Sequence, residues 1–175
     1  MRSKLTRGLI LGAVAIAAAT YVGNVLATPA TGFAGITLAK GTFEDDIAIF
    51  NQALRDADGS RSDAELWFSQ LRTKGPSDLY VQDNEWQIGG STGWHTHPGP
   101  SLIIVTGGTV TAYDADCTQH VYNKGDVFVD PGGDHVHLLR NESGNDIART
   151  VAVQLIPAGA TRRIDAEQPA GCALQ

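Results

Sequence analysis

Apolar and polar residues alternate in short runs from Leu79 to Ile156. The runs Ser101–Thr106 and Thr109–Tyr113 flank Gly107-Gly108, a pair that is typical of the tight turn of a β-hairpin. Short strands at regular spacing, with Gly, Asn, Asp or Pro between them, predict an all-β sandwich or barrel. The other predicted strands are Leu79–Ile88, Trp94–His97, Gln119–Tyr122, Val127–Val129, Val136–Arg140 and Ile147–Ile156.

The pattern is weaker before Leu79. Ile36–Phe43 predicts a first strand that packs on the outside of the barrel or pairs at its edge, after a flexible leader at 28–35. Between residues 44 and 74 the signal is mixed. Residues 64–71 (AELWFSQL) fit a strand and a short helix equally well, because so short a run has no clear period.

The first 27 residues have the features of a secretory signal peptide. Three basic residues precede an apolar run that ends in Val25-Leu26-Ala27, which resembles a cleavage site. An uncleaved anchor is the alternative, because about 20 apolar residues also span a bilayer. In either case the domain is expected outside the cytoplasm, secreted or in the periplasm or cell envelope. The expected division is 1–27 signal peptide or anchor, 28–78 leader and N-terminal elements packing on the barrel, 79–157 barrel core, and 158–175 C-terminal tail.

Composition and charge exclude some partners. Of the 175 residues, 42% are hydrophobic and 18% are charged, so the chain can bury a core. Without residues 1–27, which hold three cationic side chains and no acidic one, 10 Lys and Arg remain against 19 Asp and Glu, a net charge of −9. Nucleic acid and anionic membrane surfaces are therefore poor partners.

The chain has two cysteines, Cys117 and Cys172. In an oxidising compartment an isolated pair most simply forms a disulfide, which would tie the C-terminal tail to a loop between two strands. Two free thiols are the alternative. A metal site is less favoured, since neither cysteine has a CxxC partner.

Four of the five histidines form two close pairs, His95 with His97 and His135 with His137. Residues i and i+2 of a strand point to the same face, roughly 6.5–7 Å apart along the chain. Two such imidazoles and a third from a neighbouring strand can hold one metal ion and leave open positions for water or substrate. The pairs therefore predict a metal site, and His120 stands apart from it.

The sequence around both pairs resembles the cupin family. Gly89-x5-His95-x-His97-x3-Ser101-x5-Gly107 resembles the first cupin motif, and Gly125-x5-Pro131-x-Gly133-x3-His137-x3-Asn141 resembles the second. The segments TGWHTHPGPS and DPGGDHVHLLRN are also similar to small, single-domain exported bacterial cupins, a resemblance that implies no particular reaction. It implies a double-stranded β-helix, or jelly-roll, barrel.

Two departures from the motifs affect the expected ligands. Ser101 stands where the family has a glutamate ligand, so we expect a three-histidine site of His95, His97 and His137, which resembles thiol dioxygenases and some diketone dioxygenases. Three neutral ligands leave the metal charge uncompensated and favour an anionic, bidentate substrate. The second motif also has one extra residue before its histidine. His137 keeps the family spacing to Asn141, while His135 is either a fourth ligand or a turn residue near the mouth of the barrel.

Other residues are weaker candidates. Ser101, Trp86 and Gln154 are candidate substrate-binding residues, although aromatic residues more often pack the core and the alternation around Gln154 does not settle its direction. Trp94 has the opposite parity to His95 and is expected outside the barrel. Asp134 is either a proton acceptor or a solvated turn residue.

The first functional hypothesis is an exported, metal-dependent oxidoreductase of the dioxygenase type that acts on a small anionic molecule. The alternatives are a non-catalytic module that binds a small ligand or a metal, and a metal-dependent isomerase, lyase or hydrolase. The expected cofactor is one divalent transition metal ion, with Fe, Mn, Zn, Cu and Ni all open. A homodimer formed through an edge strand is also expected.

Overall fold

The structure is a computed structural model that describes residues 27–54 and 66–172. Its regular elements are all strands, and every pairing is antiparallel. The predicted signal peptide lies outside the described residues except for Ala27. The strands are β1 (Thr31–Phe43), β2 (Ala48–Leu54), β3 (Leu66–Arg72), β4 (Ser77–Ser91), β5 (His95–Thr96), β6 (Ser101–Gly107), β7 (Thr109–Asp114), β8 (Gln119–Asn123), β9 (Val127–Asp130), β10 (His137–Arg140), β11 (Ala148–Pro157) and β12 (Ile164–Asp165).

Ten strands form a nearly closed barrel, which confirms the predicted all-β, double-stranded β-helix fold. One group of paired strands runs β1-β4-β11-β6-β9, and a second joins β12, β5, β10, β7 and β8. The two groups meet where Arg140 of β10 pairs with Ser91 of β4. No helix long and apolar enough to cross a membrane occurs within residues 27–54 and 66–172.

The interior of the barrel follows from strict alternation along β6 and β11. In β6, Ser101, Ile103 and Val105 are buried while the residues between them are exposed. In β11, every second residue from Ala148 to Ile156 is buried. Because side chains of a strand alternate between its two faces, this pattern places Gln154 inside the barrel, a direction that the sequence alone does not settle.

Two clusters of buried hydrophobic residues pack on opposite faces of β10, one through Leu139 and the other through Leu138. The first contains Trp86, Val110, Leu139 and Ala148, and Phe33 packs on it with its ring 4.9 Å from the Trp86 ring. The second contains Trp94, Tyr113, Leu138 and Cys172. Trp94 is thus fully buried beneath the C-terminal tail, on the opposite side of its strand from His95, as its parity predicted.

The N-terminal elements differ from the prediction in two places. The flexible leader predicted at 28–35 is wrong for residues 31–35, because β1 begins at Thr31 and pairs with β4 along its length. Its first residues, TGFAG, have little strand character of their own and are held by pairing with β4. For residues 64–71, where a strand and a short helix fit the sequence equally well, the structure has a strand from Leu66 onward. This strand, β3, pairs with β2 in a separate two-stranded sheet.

Two local contacts stabilise the chain near the predicted motifs. The buried amide of Asn141 donates to the backbone carbonyls of Trp86, Gln87 and Asp146, at 3.3, 3.2 and 2.8 Å. The predicted disulfide between Cys117 and Cys172 is confirmed, and it ties the C-terminal tail to the turn between β7 and β8. The motif asparagine therefore serves the fold rather than the chemistry.

Candidate metal centre

Three histidines converge inside the barrel. His95 in β5 and His137 in β10 lie directly opposite each other in the antiparallel ladder, with ring centroids 4.4 Å apart. His97 lies two residues beyond His95, and its ring is 4.9 Å from that of His95 and 5.9 Å from that of His137. One ligand atom from each ring lies within 4.8 Å of the others, an arrangement that could hold a metal ion.

Backbone contacts set the orientation of two of these rings. His95 Nδ1 donates to the Gly93 carbonyl at 2.9 Å, and His97 Nδ1 donates to the Arg162 carbonyl at 2.6 Å. Since a carbonyl can only accept, Nδ1 carries the proton in both rings and Nε2 keeps its lone pair. In a metal-binding histidine, a hydrogen bond donated by the ring nitrogen that does not bind the metal fixes the tautomer.

Burial keeps all three imidazoles neutral. Desolvation, followed by the neighbouring His137, lowers the pKa of His95 well below its usual 6.5. Desolvation also lowers the pKa of His97, and it lowers the pKa of His137 to about 4. At neutral pH the three rings are therefore lone-pair donors and do not need to lose a proton before binding a metal.

The turn before His95 depends on close contact with the N-terminal segment. Gly93 has a φ of +68°, and a Cβ at this position would collide with the Thr28 carbonyl. The Thr28 hydroxyl accepts a hydrogen bond from the Trp94 backbone N–H at 2.6 Å. Glycine is required here for both reasons, and Thr28 helps to hold the backbone that leads into the first ligand.

The candidate substrate-binding residues surround the same space. A cavity of about 60 Å³ is lined by the three histidines together with Ser101, Trp86 and Gln154. Gln154 Nε2 donates to Ser101 Oγ at 3.2 Å. The structure thus brings together all three of these candidates, although Trp86 also forms part of the first hydrophobic cluster.

His135 lies beside His137 but has partners of its own. Its Nε2 contacts Asp114 Oδ1 at 3.2 Å, and Asp114 also contacts His120 through its other oxygen at 3.1 Å. The ring of His135 stacks on that of His137 at 5.4 Å, and it belongs to a second possible metal-binding group with Asp130 and His137. A role for His135 as a ligand stays a prediction.

Asp130, which the sequence did not mark as a candidate, is the acidic residue nearest to the three histidines. Its side chain is only 3% exposed, with Oδ2 at 3.6 Å from His97 Nε2 and Oδ1 at 3.7 Å from His137 Nδ1. Asp134, the acidic candidate that the sequence offered, is exposed in the turn. The sequence carried no signal for the direction of Asp130, because only the burial pattern of β9, with Val127 and Val129 exposed, shows that Asp130 faces inward.

The residues present fit a divalent transition metal. Buried neutral imidazoles and a carboxylate are suitable donors for the first-row metals from manganese to zinc. Within the described part of the chain, Asp130 Oδ2 and His137 Nδ1 are buried and have no hydrogen-bond partner. Such groups are costly to bury unpaired, and a cation among them would offset that cost.

Comparison with known proteins agrees with the fold. The family model for the cupin domain matches residues 84–154. The chain therefore contains a cupin domain, and its fold is that of the cupin superfamily. No curated protein matches the sequence.

Several solved structures resemble the chain at low identity. A cupin-like protein from Thermotoga maritima is 18% identical, with 68% of this chain and 75% of that chain covered and a TM-score of 0.45. A protein with a double-stranded β-helix domain from Klebsiella pneumoniae is 22% identical (51% and 70% covered, TM-score 0.44). The polyketide cyclase RemF from Streptomyces resistomycificus is 20% identical (52% and 63% covered, TM-score 0.43). Similarities of this size assign no activity to this chain.

Proposed function

We propose that the protein is an exported metal-dependent oxidoreductase of the dioxygenase type that acts on a small anionic molecule. The observation that carries the proposal is the open space beside three neutral, converging histidines, because a catalytic metal site keeps positions free for its substrate. The cofactor would be one divalent ion of Fe, Mn, Zn, Cu or Ni, held by His95, His97 and His137.

Of two arginines at the cavity, Arg162 supports an anionic substrate, because Arg163 already pairs with Asp165 at 2.6 Å. Arg162 and Arg163 both line the cavity and are partly exposed. Burial lowers the pKa of Arg162, which means that its charge is incompletely solvated. An anionic group of the substrate beside this guanidinium would restore that lost solvation.

Each part of the cavity would have a separate role in the reaction. A divalent metal bound there would supply Lewis acidity and, for iron, manganese, copper or nickel, redox chemistry. Arg162 would orient the anionic end of the substrate, and the linked Ser101 and Gln154 side chains offer polar contacts on the opposite sheet. Trp86 and Phe33 form an apolar wall that limits water. In a dioxygenase reaction O2 oxidises the substrate, and both oxygen atoms of O2 enter the product.

A non-catalytic metal-binding module is less well supported. In such a module we would expect a fully ligated site with no space left beside the ion, and His135 among the donors. The Nε2 atom of His135 instead contacts Asp114, and cavity space lies beside the other three histidines. This arrangement favours a site that admits a substrate.

One observation favours a second candidate, a metal-dependent isomerase or lyase. Such an enzyme needs a general base close to the substrate proton, and the sequence offers no obvious one. Asp130 lines the cavity and is buried, so it is placed where a base would act. An isomerase or lyase would turn over without O2, which separates it from the first candidate.

Export and dimerisation are further parts of the proposal. The disulfide is consistent with an oxidising compartment, and N-terminal sequencing of the exported protein should begin at Thr28. A homodimer is supported by an apolar patch on the outer face of β6, β9 and β11, at the open edge formed by β9. Light scattering should give twice the mass of one chain, and Val129→Lys should reduce the measured mass to that of a single chain. The exposed side chains of the patch are Leu102, Ile104, Val127, Val129 and Val153.

The first test measures the metal content of the protein purified from its native source by mass spectrometry. We expect about one equivalent of metal per chain, which His95→Ala/His97→Ala should abolish. His120→Ala is the matched control, because His120 is 45% exposed and lies outside the cavity, and this variant should keep its metal. A redox-active metal would be followed by a screen for O2 consumption with small carboxylates, enols and thiols. A protein without metal that also fails to take up any metal ion would refute the proposal.

A further inference from the structure

We infer that Asp130 is the fourth, anionic ligand of the metal ion held by His95, His97 and His137. The inference rests on the proposed metal site and adds to it a ligand from a strand that supplies none of the three histidines. It also replaces the expectation, drawn from the sequence, that the ligand set is neutral.

The position of Asp130 in the sheet explains how the carboxylate reaches the site. β9 pairs with β6 in antiparallel register, and Asp130 lies directly opposite Ser101. Side chains of directly opposed residues lie on the same face, with Cβ atoms about 4.5–5.5 Å apart. Ser101 lines the cavity beside the three histidines, so a carboxylate directly opposite Ser101 lies at the same cavity.

The distance between Asp130 and His97 fits two ligands of one ion. His97 Nε2 keeps its lone pair, because its other ring nitrogen donates to the Arg162 carbonyl. Asp130 Oδ2 lies 3.6 Å from this nitrogen, and in the described residues it accepts no hydrogen bond. The lone pairs of His97 Nε2 and Asp130 Oδ2 therefore repel each other, because no proton lies between them. Two donor atoms that each lie about 2.1 Å from one tetrahedral ion are about 3.4 Å apart, close to the separation observed.

The second oxygen of Asp130 has one hydrogen-bond partner that holds the carboxylate in place. Gly132 N–H donates to Asp130 Oδ1 at 2.9 Å, and His135 Nδ1 lies 3.4 Å from the same oxygen. His135 is in turn held by Asp114 through its other ring nitrogen. The Gly132 hydrogen bond therefore fixes the carboxylate, and His135 lies beside it with no hydrogen bond from its Nδ1 atom to any described residue.

An anionic ligand changes which substrate suits the site. With Asp130 bound, a divalent ion retains a single net positive charge, so a monoanionic substrate gives a neutral complex. Desolvation then costs less than it would for an ion with three neutral ligands and a net charge of +2. We therefore expect singly charged carboxylates or enolates to be preferred over dianions.

The decisive experiment is a crystal structure of the full-length protein grown with Zn2+, with the ion located by anomalous scattering. We expect one ion per chain with an Asp130 oxygen at about 2.0–2.2 Å and the nitrogens of the three histidines around it. An ion with no Asp130 oxygen within about 3 Å would overturn the inference. So would an ion bound instead by the second group, Asp130 with His135 and His137.

Calorimetric titration with Zn2+ provides an independent measure. Asp130→Asn should weaken binding by about 100-fold or more, since loss of a residue that merely orients a ligand already costs 10–100-fold. Asparagine can still accept the Gly132 hydrogen bond, so the turn is retained. The matched control is Asp126→Asn, which changes an exposed carboxylate in the turn before β9 that accepts a hydrogen bond from the Asn123 backbone N–H, and it should change affinity by less than about threefold.

The possible results distinguish the inference about Asp130 from the proposal that the protein binds a metal ion at all. Equal Zn2+ affinity of Asp130→Asn and Asp126→Asn would reject Asp130 as a ligand and leave a three-histidine metal site. A wild-type protein that binds no metal would reject both. The crystal structure needs no variant, so the inference stays testable even if Asp130→Asn fails to fold.

Discussion

Removal of the disulfide by the double substitution Cys117→Ala/Cys172→Ala should lower the free energy of unfolding by about 4 kcal/mol. The two cysteines are 55 residues apart in sequence, with Cα atoms 5.6 Å apart. Closing a loop of this length removes about 14 cal/mol/K of entropy from the unfolded chain, which is about 4 kcal/mol at 25 °C. For a protein of this size the loss corresponds to a fall in melting temperature of roughly 8–16 °C.

The packing around Cys172 shows where the effect should be seen. Cys172 is 2% exposed and packs with Trp94, Tyr113 and Leu138. Trp94 directly precedes the metal-site residue His95, and the Trp94 carbonyl accepts a hydrogen bond from Ala166 in the tail. Loss of the covalent link should therefore loosen the tail over Trp94 as well as reduce global stability.

The assay is urea unfolding followed by tryptophan fluorescence, with and without a thiol reductant. Reductant should destabilise the wild-type protein by about as much as the double substitution does, and it should have no effect on the double variant. A loss below about 1 kcal/mol would refute the entropic reasoning. A shift of the double variant by reductant would show that the reagent acts elsewhere.

Two further predictions concern stability. Asn141→Ala should cost about 3 kcal/mol in urea unfolding, because it leaves three buried or part-buried backbone carbonyls without their donor; the exposed Asn145→Ala is the control, and equal effects would contradict the role given to Asn141. Burial lowers the pKa of His95, His97 and His137 in the folded protein. Below pH 6.5 the unfolded chain therefore binds more protons than the folded chain does. The stability of the metal-free protein is thus full above that pH and falls as the pH decreases toward 4. With a folded pKa of about 4, His137 alone should account for a loss of about 2 kcal/mol between pH 7 and pH 5, and a flat profile of chelator-treated protein would contradict this.

Short apolar runs bounded by turn residues are enough to predict much of the barrel. In Ser101–Thr106 each residue differs from the next in the face that it presents, and β6 keeps this order in the folded chain. The spacing of His95 and His97 places both rings on one face for the same reason, and the cupin motif selects His137 as their partner. These inferences succeed because they depend on residues near each other in sequence, where the geometry of a strand is known in advance.

The tertiary structure decided those features that depend on pairing between distant strands. Residues 31–35 form a strand only because β4 offers them hydrogen-bonding partners. Gln154 lies among apolar neighbours, and only the closed barrel shows that its face is the inner one. Arg162 lines the cavity and belongs to the tail that Cys172 holds in place.

Asp130 is the clearest example of this limit. It lies 29 residues after Ser101 in the chain, yet the register of β6 and β9 places the two residues side by side. Nothing in the local sequence specifies that register, because it is set by the turns and by the packing of the whole sheet. The sequence by itself therefore determined the histidines and the type of fold, and the tertiary structure alone brought a buried carboxylate to them.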